Sequence, residues 1–147
     1  MKSTKNLPLK SKKMDKEKTR TQTQEDLFSV LVTALEGGSN YWYNLETWKE
    51  LRKKALEIAQ EKRIDPDDIA CGPDKVWLLV ANGVPVPVFD VESDEEEPNH
   101  LGNLTMEGMI EAVKMYREKY GSFDPDMDAG EADAWFQLAV MKEIVFG

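Results

Sequence analysis

The side chains best suited to chemistry in this 147-residue sequence are a run of carboxylates near its end: Asp124, Asp126, Asp128, Glu131 and Asp133. Aspartates at alternate positions are typical of calcium sites, since calcium takes about six to eight oxygen ligands. The EF-hand pattern fails if Asp124 is its first position, because Ala129 and Trp135 then replace the required glycine and glutamate. A divalent-metal site at Asp124, Asp126 and Asp128 stays a prediction, and two-metal catalysis would need further acids from other elements.

No complete catalytic set accompanies these acids. The sequence has no glycine-rich phosphate loop ending in Lys-Ser/Thr and no Gly-x-Ser-x-Gly nucleophile motif. Its single cysteine, Cys71, and single histidine, His100, are too few for a structural zinc site, which needs about four such ligands. We expect Cys71 to be a small buried filler in a turn and His100 to lie in an exposed acidic loop. These features predict binding rather than catalysis, and no cofactor.

A segment of glycines and aromatics, EGGSNYWYN at residues 36–44, is the second candidate site. Exposed tyrosine and tryptophan are common hot-spot residues of protein interfaces, which indicates a binding site at Glu36, Asn40, Tyr41, Trp42 and Tyr43. The other interpretation is structural, because glycines often end a helix and the aromatic rings would then lock that helix onto the last one. The structural interpretation predicts that Trp42 contacts the region from Trp135 to Ala139.

The net charge of −9 conceals two oppositely charged parts. Residues 1–24 contain eight Lys and Arg against two acids, a balance of +6, so residues 25–147 contain 11 basic and 26 acidic residues, a balance of −15. Such an acidic domain repels nucleic acid and suits a basic protein partner, although solubility alone explains the same composition. Mimicry of DNA charge is a further interpretation, and it would require carboxylates arrayed on one surface.

The composition changes at residue 24. Residues 1–24 are rich in Lys, Thr and Gln and poor in apolar side chains, which predicts a disordered basic tail, either functional or an unselected extension. Residues 25–147 have the composition of one soluble acidic domain. The sequence has no apolar run long enough for a signal peptide or membrane span. With the lone cysteine, this predicts a cytoplasmic protein without membrane contact, whose oligomeric state stays open.

Apolar residues at helical spacing predict four helices, at residues 25–36, about 44–63, 105–121 and 128–147. Thr105 is the expected N-cap of the third helix, and Asp128 with Glu131 forms a capping-box start for the fourth. Trp48 falls in the apolar stripe of the second helix.

Residues 76–81 (VWLLVA) and 84–91 (VPVPVFDV) flank Asn82-Gly83, the pair that best fits a two-residue type I′ turn, and this predicts a β-hairpin. Pro85 and Pro87 remove N–H donors from one side of the second strand, which we therefore expect at a sheet edge, at least in its first half. Residues 92–103 contain five acids and predict an exposed loop. This order predicts an α+β fold of about four helices packed on a small antiparallel hairpin or sheet.

The segment at residues 36–44 occurs together with a C-terminal segment, DAGEADAWFQLAVMKEIVFG at residues 128–147. In this combination the sequence resembles a family of small uncharacterised phage and prophage proteins. The matching residues are Glu36, Gly37, Gly38, Tyr41, Trp42, Asp128, Ala129, Ala132, Asp133, Gln137, Glu143, Val145 and Gly147. Met141-Lys142 stands where the family has Phe-Gly, and Phe146 where it has tyrosine. The resemblance covers both ends of the predicted domain and implies no established activity and no catalytic residue.

These observations predict a phage-type accessory protein that is not an enzyme and binds a host or phage macromolecule, most directly a protein, in the host cytoplasm. An anti-defence or host-takeover role is one form of this hypothesis. The alternative is a small-ligand or divalent-metal-binding protein that uses the carboxylates at residues 124–133.

Overall fold

The computed structural model describes residues 21–45, 48–94 and 96–147. Within these ranges the chain forms five α-helices and a three-stranded antiparallel sheet, which confirms the predicted α+β class. The elements are α1 (Gln22–Thr33), β1 (Tyr43–Leu45), α2 (Trp48–Lys62), α3 (Gly72–Ala81), β2 (Val86–Asp90), β3 (His100–Leu104), α4 (Met106–Tyr120) and α5 (Ala129–Met141). A π-helical turn, Ala34–Gly38, extends α1, and a 3-10 turn, Pro66–Ile69, precedes α3.

The first helix begins slightly earlier than the sequence predicts. The Thr21 hydroxyl accepts the Gln24 N–H, and the Gln24 side chain accepts the Thr21 N–H, so the two residues form a capping box. Of the residues that the charge pattern assigns to the tail, Thr21 is therefore the N-cap of α1 and residues 22–24 belong to the helix. Residues 1–20 of the predicted tail lie outside the described residues.

The predicted hairpin at residues 76–91 is wrong in its first half, because residues 76–81 belong to helix α3. Five consecutive side chains of this run are buried: Val76, Trp77, Leu78, Leu79 and Val80. A short run that is buried all round has no periodicity that separates strand from helix. Asn82-Gly83 ends the helix instead of turning a hairpin, since the Asn82 side chain donates to the Leu78 carbonyl and Gly83 has a positive φ of 79°.

The sheet has the order β1-β2-β3, and two of its three strands lie where the sequence predicts none. β1 lies at the end of the aromatic segment, where Asn44, the predicted start of the second helix, pairs with Phe89 in the sheet. β3 occupies the end of the predicted acidic loop and contains His100. Val88 has neighbours on both sides, whereas Val86 and Pro87 pair only with β3 among the described residues. The predicted edge is thus found in the first half of β2 alone.

Helix α5 is the centre of the fold. It packs against α4, β3, α1 and the π-helical turn, and residues 135–140 are buried in succession. Two glycines of neighbouring segments lie against the α5 backbone. A Cβ on Gly38 would collide with the carbonyl of Ala129, and a Cβ on Gly102 would collide with the carbonyl of Val140. Glycine is required at both positions because a backbone atom cannot move aside as a flexible side chain can. None of the described helices has the length and apolar character needed to span a lipid bilayer.

The predicted ends of α4 are confirmed, whereas the last helix ends at Met141 instead of residue 147, with Lys142 in the left-handed conformation. Thr105 caps α4 by accepting the Gly108 N–H, and Gly121 closes it in the left-handed conformation. Trp48, in contrast, is 49% exposed, so it does not join the buried stripe of α2.

Candidate functional site

Two polar side chains lie inside the apolar surface of α5. The helix starts with the predicted capping box, in which the Asp128 carboxylate accepts the Glu131 N–H and the Glu131 carboxylate accepts the Asp128 N–H. Asp133 and Gln137 follow one helical turn apart, on the same face, and are 8% and 1% exposed. Burying a carboxylate and an amide is costly unless their polar atoms form hydrogen bonds. Both side chains therefore depend on partners from elsewhere in the chain.

The Asp133 carboxylate receives four donors, three of them from the aromatic segment. Its Oδ1 accepts the Ser39 hydroxyl at 2.8 Å and the Trp42 indole N–H at 2.7 Å. Its Oδ2 accepts the Tyr41 hydroxyl at 2.6 Å and the Gln137 side-chain N–H at 3.1 Å. An ionised carboxylate only accepts hydrogen bonds, and all four partners donate. Asp133 thus joins the end of α1 to the middle of α5.

The turn after α1 directs these donors toward α5. The Ser39 N–H donates to the Ala34 carbonyl at 2.9 Å, which closes the π-helical turn, and the Trp42 N–H donates to the Ser39 carbonyl at 3.1 Å. Gly38 permits the turn to touch the α5 backbone at Ala129. The glycines of this segment therefore serve two purposes, because they end a helix and allow close contact with another one.

Gln137 holds the C-terminal residues in the same way. Its Oε1 accepts the N–H groups of Val145 and Phe146, both at 2.8 Å, and its Nε2 donates to the Phe146 carbonyl at 3.1 Å. The Phe146 ring stacks on Trp42 with a centroid distance of 5.2 Å and an interplanar angle of 14°. The Asp133 network, defined as Ser39, Tyr41, Trp42, Asp133 and Gln137, therefore unites three separate parts of the chain.

The structure divides the five predicted binding residues into two groups. Trp42 is 2% exposed and its ring lies 5.6 Å from that of Phe136, so the predicted contact with the last helix is confirmed. Tyr43 is half-buried and donates its hydroxyl to the Leu35 carbonyl at 2.8 Å. Trp42 and Tyr43 accordingly serve packing. Glu36, Asn40 and Tyr41 are exposed.

The network carries exposed apolar side chains, namely the Tyr41 ring and two valines whose backbone N–H groups bond to network residues. Tyr41 is 53% exposed, although its hydroxyl is fixed on Asp133. Val145 is 55% exposed and is attached to Gln137 through its N–H. Val91 is 44% exposed and donates its N–H to the Trp42 carbonyl at 2.8 Å. Together with Asn40, these residues form what we name the Tyr41 surface: Asn40, Tyr41, Val91 and Val145.

Two tyrosines of the segment have altered acidity. Burial of the Tyr41 hydroxyl, its hydrogen bond to Asp133 and the negative charge of that carboxylate raise the pKa of Tyr41 to about 12. Burial, with a smaller contribution from the Glu36 charge, raises the pKa of Tyr43 to about 12. Both hydroxyls therefore remain protonated donors at neutral pH.

The carboxylates proposed as metal ligands have structural partners. Asp124 accepts the Asp126 N–H at 2.8 Å within the turn before α5, and Asp128 is the N-cap of that helix. Asp133 is turned into the buried network. In the described ranges, no group of three or more His, Cys, Asp or Glu side chains is placed to hold a metal ion.

Sequence reasoning missed Ser39, Asp133 and Gln137 as one network, although a signal exists. An aspartate and a glutamine four residues apart in an otherwise apolar helix indicate a buried polar pair that needs partners.

The predictions for His100 and Cys71 are wrong. His100 is the first residue of β3 instead of a loop residue, with its Nε2 2.8 Å from the Asn103 side-chain oxygen. Cys71 is exposed instead of a buried filler.

Comparisons with protein-family models, with curated proteins and with solved structures give no match to this chain.

Proposed function

We propose that this chain is a phage-type accessory protein that acts without catalysis, by binding a host or phage protein through the Tyr41 surface. The observation that carries the proposal is the state of Tyr41, whose ring is half exposed while its hydroxyl is fixed on a buried carboxylate. A side chain that is already immobile loses little conformational freedom when a partner covers it. Tyrosine is also among the residues most enriched at interface hot spots.

The neighbours of Tyr41 support a protein partner. Val91 and Val145 add apolar area that a small ligand would not need, and Asn40 adds an exposed amide at the rim. The balance of −15 over residues 25–147 favours a partner with a basic surface, since complementary charge accelerates encounter and excludes acidic competitors. A protein with a basic patch around an apolar depression fits both features.

The resemblance to phage proteins rests on residues that are together in space. Tyr41 and Trp42 bond to Asp133, and Gly38 contacts the backbone at Ala129. These positions carry the pattern shared with the phage family, so one physical task, the attachment of the segment to α5, accounts for much of the shared pattern. This arrangement supports the proposal of a phage-encoded accessory protein that acts in the host cytoplasm.

Affinity capture from bacterial lysate tests the proposal with a pair of charge-matched variants. The double variant Asn40→Arg/Val145→Glu alters the Tyr41 surface while the net charge and the Asp133 network are retained. The control, Ile110→Glu/Glu111→Gln, makes an equivalent change at exposed positions of α4. A protein captured by the parent and the control but lost with the first variant would support the proposal.

Two results would contradict it. Capture that is identical with all three proteins would show that the Tyr41 surface is not the interface. Loss of the captured material after nuclease treatment of the lysate would identify nucleic acid, rather than protein, as the partner.

A further inference from the structure

A cavity between α2 and the start of α3 involves none of the residues of the Asp133 network. Its volume is about 320 Å³, and it is lined by Trp48, Arg52, Gly72 and Lys75. These residues carry two positive charges and no negative charge, in a chain with 28 acidic residues against 19 Lys and Arg. A cavity whose described lining residues carry only positive charge, on so acidic a protein, favours an anionic ligand. The volume is at the lower end of that of small-molecule sites.

Trp48 supplies an aromatic wall. The apolar spacing of α2 places this residue toward the core, yet the ring remains 49% exposed. The outer edge of its six-membered ring lies against Gly72, where a Cβ would come within 2.9 Å of the Trp48 Cη2. Gly72 therefore gives the ring a close backbone support that any other residue would disturb. An aromatic ring that is supported at one edge and otherwise open is suited to stacking with a flat heteroaromatic group.

The two cations can bind one anion together. The Lys75 ammonium donates to the Ala70 carbonyl at 2.6 Å, which fixes its position and leaves other protons for a ligand. Arg52 lies one helical turn after Trp48, on the same side of α2, and its guanidinium has no hydrogen bond or ion pair with another described residue. A guanidinium is well matched to phosphate, to which it can donate two parallel hydrogen bonds.

The backbone adds to this preference for anions. Helix α3 begins at Gly72, inside the cavity lining, and its N-cap residue Cys71 provides no side-chain hydrogen bond. Because Pro73 has no N–H, the Gly72 and Asp74 N–H groups are the donors left for another acceptor, at the end of the helix where its dipole favours negative charge.

We propose that this cavity binds a nucleoside phosphate, with the base stacked on Trp48 and the phosphate between Arg52 and Lys75. The site is separate from the Tyr41 surface and from the carboxylates at residues 124–133. The proposal rests on the joint presence of a cavity, a supported aromatic ring and two cations, and it is independent of the proposed protein partner.

Fluorescence quenching can measure binding directly in the intact protein. The chain has four tryptophans, and Trp42, Trp77 and Trp135 are 5% exposed or less, so a neutral aqueous quencher such as acrylamide reaches mainly Trp48. The probes are adenosine, guanosine, cytidine and uridine monophosphates, with ribose 5-phosphate and inorganic phosphate as probes without a base. We expect saturable protection of Trp48 by at least one nucleotide, with a Kd about tenfold or more below that of ribose 5-phosphate.

Matched neutral variants then locate the phosphate. Arg52→Gln and Lys75→Gln should each raise the nucleotide Kd about tenfold, the effect of one lost charge-assisted hydrogen bond. Lys53→Gln, which removes the same charge from a neighbouring exposed position of α2, should change the Kd by less than about twofold. The proposal is overturned if none of the four nucleotides protects Trp48, if ribose 5-phosphate binds as tightly as the nucleotides, or if Lys53→Gln weakens binding as much as Arg52→Gln.

Discussion

The Trp42 indole donates a 2.7 Å hydrogen bond to the Asp133 carboxylate, across a sequence separation of 91 residues. Both side chains are buried, and the same Oδ1 also accepts the Ser39 hydroxyl. The aromatic segment is thereby fixed to α5, and only the Tyr41 ring of the network is left substantially exposed. Trp42 thus serves packing, and the adjacent Tyr41 is the residue of the network that can serve the proposed recognition.

Asp133→Ala should be among the most destabilising single substitutions in the chain. It leaves the buried donors of Ser39, Trp42 and Gln137 without their acceptor, and each such loss costs about 1–3 kcal/mol. We expect the free energy of unfolding in urea to fall by more than about 3 kcal/mol. Asp126→Asn, at an exposed carboxylate, should change it by less than about 0.5 kcal/mol. Equal effects of the two substitutions would refute the role assigned to the network.

Gln137→Leu should release the C-terminal residues while α5 remains folded. The substitution preserves side-chain volume but removes the acceptor of the Val145 and Phe146 N–H groups. Hydrogen exchange at these two amides should become much faster, because their protection depends on a single side-chain oxygen. Gln60→Leu, at an exposed position of α2, is the control and should leave both amides protected. Unchanged exchange in Gln137→Leu would show that other contacts hold the segment.

Gly38→Ala and Gly37→Ala should differ strongly although the positions are adjacent. An added methyl at Gly38 meets the Ala129 backbone, whereas at Gly37 nothing lies within 4 Å. We expect Gly38→Ala to lower the free energy of unfolding by about 1–3 kcal/mol, the usual range for overpacking. Gly37→Ala should be neutral or slightly stabilising, because alanine restricts the unfolded chain. Thermal unfolding of both variants is sufficient, and a similar loss in each would mean that helix termination, not close packing, requires glycine here.

Tyr43 should make the protein sensitive to alkaline pH. Its pKa is raised from 10.0 to about 12, so the folded state keeps a proton that the unfolded state loses in this interval. The contribution of the hydroxyl to stability is complete below pH 10 and is lost as the pH rises through 12. The difference in unfolding free energy between the parent and Tyr43→Phe should therefore shrink between these two values. A difference that stays constant across this range would contradict the raised pKa.

The sequence-based predictions are correct for features that residues close in sequence determine. They fail for features that depend on residues far apart in sequence. The caps at Thr105 and Asp128 are correct because their hydrogen bonds close within three residues. The helical stripe of α1 is correct because apolar periodicity reports which face is buried, whereas the stripe of α4 is correct at Met109 and Tyr116 but not at Ile110 and Tyr120, which are 51% and 50% exposed. Trp48 shows the limit of that signal, since it falls in the apolar stripe of α2 but is 49% exposed, with its ring against Gly72 of another helix.

The amino-acid sequence alone determined the α+β class, the locally capped helix ends at Thr105, Gly121 and Asp128, the charge asymmetry and the contact of the aromatic segment with the last helix. Tertiary structure decided that VWLLVA is a helix. A short apolar run that is buried on all sides is compatible with either a strand or a helix, and the elements packed around it determine which of the two forms. It also decided the sheet, since β1 and β3 form by pairing with β2. Lastly, it made Asp133 the acceptor of three donors that lie 91 to 94 residues away, because partners of buried polar groups are set by packing in space.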